Sequence, residues 1–146
     1  MEEKEKILVV IDMQNDFING SLGTDEAQAI VDNVVNKIKE YEPINIYATR
    51  DTHKENYLET SEGKSLPVVH CVKDTYGWQI RDEIAKAMSE AKIVDKPTFG
   101  STDLADILYA RNDKKEIDKD ALLALSSTGL YRINTNGTNL KQLYDD

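Results

Sequence analysis

Residues Ile7-Leu8-Val9-Val10-Ile11 form an unbroken apolar run, mostly β-branched, that ends abruptly in Asp12-Met13-Gln14-Asn15-Asp16-Phe17. A run with no polar alternation is how a strand buried on both faces reads, which is the situation at the centre of a parallel sheet. In open α/β sheets, ligands bind outside the carboxyl ends of the strands. Asp12 stands at that end of this strand. The feature therefore demands helices on both faces of a sheet and nominates one edge of that sheet for chemistry.

The next segments fit that demand. Asn19-Gly20 and Leu22-Gly23 mark a loop, and Thr24 is placed to cap a helix whose first turn carries Asp25 and Glu26. Ala27, Ile30, Val31, Val34, Val35 and Ile38 recur at helical spacing and predict one amphipathic helix. Pro43 closes it, and Ile44–Thr49 predicts a second strand running into Arg50-Asp51-Thr52-His53. Strand, helix, strand at this length is a βαβ unit with parallel pairing. Residues 54–67 are polar and turn-rich, a covering loop. Trp78, Ile80, Ile84, Ala87 and Met88 outline a second helix, and residues 91–96 a third strand. Ser101 or Thr102 then caps a third helix carrying Leu104, Ala105, Ile107 and Leu108. The pattern is a Rossmann-like three-layer α/β/α architecture on a parallel sheet. After about residue 112 it changes. Residues 120–127 are ambiguous between helix and strand, and 130–143 read as a β-hairpin turning at Asn136-Gly137.

A formal charge of −9 argues against nucleic acid or an anionic membrane as partner, because both require a basic face. No apolar run is long enough to span a bilayer, and the charged, mixed-sign start has no signal-peptide pattern. A single cysteine makes no internal disulfide, so a cytoplasmic setting is the expectation.

Three strand ends deliver chemistry to one edge: Asp12 from the first, Asp51 and His53 from the second, Lys96 from the third. Asp51 and His53 are spaced i, i+2, which in extended chain points both side chains the same way. With His70 from the following loop they offer the donors of a metal site with three protein ligands and open positions. Both histidines of the chain fall in this constellation.

At this point the motifs resemble a known family. Val10-Ile11-Asp12-Met13-Gln14-Asn15-Asp16-Phe17, Thr49-Arg50-Asp51-Thr52-His53, Leu66-Pro67-Val68-Val69-His70-Cys71 and Lys96-Pro97-Thr98-Phe99-Gly100-Ser101 together are similar to the isochorismatase-like cysteine hydrolases, including nicotinamidases. The resemblance implies hydrolysis of a small, non-peptide amide through an Asp–Lys–Cys triad. Asp12 would take the thiol proton and Lys96 would favour the thiolate. It further implies that Asp51, His53 and His70 bind a divalent metal, zinc first, with iron or manganese as alternatives. Phe17 would be the pocket aromatic that meets the substrate. A homo-oligomer is compatible with it.

The chain departs from the family pattern where the nucleophile belongs. The family carries its cysteine after the strand that follows the lysine strand; here Asp118-Lys119-Asp120-Ala121 and the residues beyond contain none. The resulting expectation is a partial, truncated hydrolase domain over 1–116 that leaves a sheet edge uncovered, then a divergent tail over 117–146. Residues 130–140 weakly resemble a β-propeller repeat. Cys71 reads as a buried structural cysteine, because next to His70 in extended chain its thiol points away. Asp74 stands where the family has glycine, and Pro67 where nicotinamidases carry a pocket tryptophan. Three readings of function follow: a hydrolase by descent whose turnover is in doubt; a non-catalytic binding module, either a metal-binding pseudoenzyme or a subunit that pairs with an intact homologue; and a metal-assisted hydrolase using water on Asp51, His53 and His70.

Overall fold

The computed structural model describes residues 5–97, 101–113, 117–126, 129–132 and 141–142. The apolar run is strand β1 (Glu5–Ile11), and Ile7 to Val10 are each at most 1% exposed. Helix α1 (Asn15–Ile18) follows at once, then α2 (Asp25–Ala29) and α3 (Val31–Ile38). Thr24 caps α2 as expected, its hydroxyl accepting from Ala27 N at 3.0 Å. The single amphipathic helix read from the sequence is two helices interrupted at Ile30, although Ala27, Val31, Val34 and Ile38 still make one buried stripe.

Pro43 opens a 3₁₀ turn rather than merely ending a helix, and this delays strand β2 to Ile46–Asp51. The covering loop contains a 3₁₀ turn, Tyr57–Glu59, and a short helix, α4 (Ser61–Ser65). The second predicted helix is shorter than its apolar pattern. Trp78 sits in a 3₁₀ turn, and α5 spans only Asp82–Ala87. Strand β3 (Lys92–Lys96) and helix α6 (Thr102–Asp113) follow, α6 opening on Ser101, whose Oγ accepts from Leu104 N at 3.1 Å.

The sheet order is β3-β2-β1, continued on the far side by β4 (Ile117–Ser126), β5 (Gly129–Arg132) and β6 (Lys141–Gln142). Strands β3, β2, β1 and β4 are mutually parallel, and β5 and β6 are antiparallel additions. This corrects one expectation. Residues 117–126 are a strand, and they cover the flank of β1 that was expected to lie open, with Leu8 paired to Leu123 and Val10 to Leu125. An apolar run this short does not distinguish strand from helix in sequence; pairing against β1 decides it. The two later strands run antiparallel as the hairpin reading requires, while the Asn136-Gly137 turn lies outside the described residues.

The core is two layers thick because β1 alternates. Leu8 and Val10, with Ile46 and Ala48 of β2, pack against Val31, Val34 and Ile38 of α3 and Ile84 of α5. Ile7 and Val9, with Tyr47, pack against Leu108 of α6 on the other face. Each buried aliphatic side chain contributes about 1.5–3 kcal/mol. Arg111 pins the last turn of α6 beneath β2, donating to Asn45 Oδ1 at 2.9 Å and to the Tyr47 hydroxyl at 3.0 Å. Among the described residues no helix is long and apolar enough to cross a membrane.

Candidate metal centre and carboxylate–lysine pair

Asp12 leaves β1 with a left-handed backbone, φ 52°, a region that L-residues other than Asn and Asp rarely enter. Contacts with β2 hold it there. Asp12 N–H donates to the carbonyl and the hydroxyl of Thr49 at 3.1 and 3.2 Å, and the Thr49 hydroxyl donates back to Oδ1 at 2.6 Å. The other oxygen, Oδ2, receives Lys96 Nζ at 2.7 Å. Lys96 comes from the end of β3, two strands away, and is 6% exposed. The predicted partnership of Asp12 and Lys96 is therefore a direct ion pair at the strand ends.

Asp51 closes β2 directly opposite Lys96, the two being partners in the β2–β3 register. Its backbone is gripped by Gln14, whose fully buried carboxamide accepts from Asp51 N–H and donates to Asp51 C=O, both at 2.8 Å, and also to Trp78 C=O at 2.8 Å. His53 is two residues on, as the spacing required, and its Nε2 lies 2.9 Å from Asp51 Oδ2. The backbone of His53 pairs with the next loop: His53 N–H donates to Cys71 C=O and Lys73 N–H to His53 C=O, both at 2.9 Å. That short parallel bridge delivers His70, whose Nε2 is 3.3 Å from Asp51 Oδ2. His70 Nδ1 faces Val68 C=O at 2.7 Å, so it carries a proton and Nε2 is the nitrogen turned toward Asp51.

Glu62 joins them. Its Oε1 lies 3.9 Å from His53 Nε2, and one ligand atom from each of Asp51, His53, Glu62 and His70 falls within 4.8 Å of the others. The sequence reading missed this residue because it treated 54–67 as loop. The available signal was Thr60, whose hydroxyl caps α4 by accepting from Gly63 N–H at 3.0 Å and so fixes Glu62 in the first turn. Donor chemistry supports a cation here. Two imidazoles and two carboxylates converge, and Asp51 Oδ1 is buried without a hydrogen-bond partner. Burial by itself would raise the Asp51 carboxyl. Hydrogen bonding from His70, the charge of His53 and that of Lys96 outweigh it and leave the group below the usual range. For His70 the balance runs the other way: burial pulls it down, but Asp51 and the Val68 carbonyl raise it above the ordinary histidine value.

Phe17 is half-buried at the rim, its ring edge-on to His70 at 5.4 Å, so the structure brings the expected pocket aromatic to the metal side of the site. Cys71 departs from the extended conformation expected of it. It is not in extended chain but left-handed, φ 49°, with its N–H held by Asp16 Oδ2 at 2.8 Å. Side-chain alternation therefore says nothing about its direction. What makes it a poor nucleophile is its setting. The thiol is fully buried, and burial first, then the carboxylates of Asp51, Asp16 and Asp12, push its pKa far up against the opposing pull of Lys96. Asp74, φ 69°, sits in the left-handed region that the family's glycine would occupy without strain. Pro67 is exposed.

A carboxylate–lysine pair and a four-residue candidate metal centre thus lie together at the carboxyl ends of the parallel strands, where ligands bind in open α/β sheets. The chain belongs to the isochorismatase domain family, whose model matches residues 6–117. It is similar to the nicotinamidase of Saccharomyces cerevisiae, 30% identical across 62% of this chain and 56% of that protein. Among solved structures it is similar to a pyrazinamidase of Pyrococcus horikoshii in complex with zinc. That match has 32% identity and a TM-score of 0.57, covering 74% of this chain and 65% of the other. An N-carbamoylsarcosine amidase of Thermoplasma acidophilum aligns at 25% identity with a TM-score of 0.61, over 84% and 67%. The chain thus spans 56–67% of the length of these relatives.

Proposed function

We propose that this chain supplies the metal pocket and the carboxylate–lysine pair of a nicotinamidase-like hydrolase acting on a small, non-peptide amide. The observation that carries the reading is the cluster of buried Asp51, His53 and His70 with half-buried Glu62, set beside the Asp12–Lys96 pair on one strand-end edge. Asp51, His53 and His70, with Glu62 in reach, would hold a divalent metal, and the zinc-bound relative favours zinc. Such an ion, when bound, supplies a Lewis-acid centre that orients an amide or a ring heteroatom. Phe17 forms an apolar wall for a flat substrate. Asp12 is placed to accept the proton of an attacking group, and Lys96 compensates its charge.

What this chain does not place at the site is a reactive thiol. Cleavage of an amide C–N bond by a cysteine requires a thiolate, and the one cysteine present, Cys71, is held protonated by its surroundings. The second reading, a non-catalytic metal-binding pseudoenzyme or a subunit that pairs with an intact homologue, draws on this same fact.

Metal content and ammonia release from nicotinamide and pyrazinamide test both. One equivalent of metal that is lost in His53→Ala is expected, with release at background. Robust release that survives Cys71→Ala but is lost in His53→Ala would replace the covalent reading with a metal-assisted one. Release abolished by Cys71→Ala would make Cys71 the nucleophile. A metal-free protein would sink the metal pocket. Iodoacetamide at mildly alkaline pH is expected to label Cys71 only after unfolding.

A further inference from the structure

Tyr57 lies under the candidate metal centre and is fully buried, although the sequence places it in a polar loop. Its ring centroid is 4.6 Å from that of His53, tilted by 56°, and 5.0 Å from that of His70, at 75°. The imidazoles are themselves 4.8 Å apart at 73°. One side chain therefore touches both. The far end of the ring is anchored, its hydroxyl donating to Leu66 C=O at 2.8 Å. The near end is tied to the fourth candidate ligand, because Tyr57 C=O accepts from the Thr60 hydroxyl that caps the helix bearing Glu62.

The two histidines differ in what else orients them. His70 has a polar anchor away from the metal side, the Val68 carbonyl. Among the described residues His53 has none: its side-chain polar contacts are Asp51 at 2.9 Å and Glu62 at 3.9 Å, both through Nε2. Those are the atoms a metal would claim. Rotation about the imidazole χ2 is intrinsically soft, so a ring without an outer anchor wanders unless packing stops it. We infer that Tyr57 is a positioning residue of the metal centre, its ring fixing the orientation of His53 relative to His70. This rests on the metal pocket proposed above. Tyr57 acts by ring contact, and its hydroxyl serves only to hold the ring in place.

Titration of the full chain with Co²⁺, followed by visible absorption, tests it. Tyr57→Leu should weaken binding by about tenfold or more, the cost of losing a supporting partner of a ligand, and should shift the Co²⁺ absorption band. Tyr57→Phe keeps the ring and should stay within about threefold of wild type with the band unmoved. Ile84→Ala, a cavity in the fully buried core at α5, should lower Tm yet leave both affinity and band unchanged, which separates positioning from general destabilisation. If Tyr57→Leu binds like wild type, or if Tyr57→Phe already loses tenfold, the inference is overturned. If Tyr57→Leu fails to fold, the decision falls to Tyr57→Phe, whose unmoved band supports it. If wild type takes up no Co²⁺, the metal pocket falls and this inference with it.

Discussion

Asp12 and Asp51 are the same residue type at the ends of neighbouring strands, on the same edge, yet their surroundings differ sharply. Asp12 is closed. Thr49 occupies one oxygen and Lys96 the other, and the residue holds a left-handed backbone that Asp tolerates. Asp51 is open. It lies in ordinary strand conformation, Gln14 holds its backbone on both sides, two imidazoles crowd Oδ2, and Oδ1 is left without a partner. A carboxylate whose two oxygens are already engaged by a hydroxyl and an ammonium has no vacancy for a cation. A buried carboxylate with a vacant oxygen and neutralisable imidazoles around it is suited to a cation. The difference lies wholly in the neighbours.

The largest effect expected from breaking this contrast is in Lys96→Met. It leaves the Asp12 charge largely buried without its partner and should cost about 3 kcal/mol in urea unfolding, with Asp12→Asn in the same background recovering part of the loss. An unchanged midpoint would mean that the pair is not formed. Asp51→Asn should weaken Co²⁺ or Zn²⁺ binding by about 100-fold or more, since even outer partners of ligands cost up to that much. Asp12→Asn should leave metal affinity nearly untouched. Equal losses in the two variants would erase the distinction between them.

Titration sharpens it further in the metal-free protein. The lowered Asp51 stabilises the fold above the ordinary carboxylate value of about 3.9, a contribution lost as pH falls through its folded pKa. The raised His70 stabilises the fold below about 6.5, a contribution lost as pH rises through its folded pKa. Tm of EDTA-treated protein should therefore be highest between those values and decline on the alkaline side, a decline that His70→Gln removes. A flat profile in wild type would contradict the contact. The smallest effect belongs to Thr49→Val, which removes the hydroxyl from Asp12 and should cost about 1–2 kcal/mol of stability with metal binding intact.

Much of this site was legible because it depends on local pattern. The apolar run of β1 named the central strand, and strand polarity named the edge. The i, i+2 spacing of Asp51 and His53 named two ligands, the third strand end and the following loop added Lys96 and His70, and motif resemblance added Phe17. What stayed hidden was whatever depends on a partner far along the chain. Glu62 and Tyr57 reach the metal side only because the loop folds back on itself at a capped turn. Gln14 looked like a loop residue, whereas its amide completes the backbone pairing of Asp51, 37 positions away.

Sequence by itself determined the α/β class, the order of the strands' chemistry and the identity of the chemical groups, because periodicity and strand direction are properties of consecutive residues. Tertiary structure alone decided that residues 117–126 lie along β1, that Cys71 is left-handed and shut away from solvent, and that one aspartate is paired while its neighbour is open. Those outcomes are set by which atoms meet across the sheet and between loops, and burial gives such meetings their energetic weight.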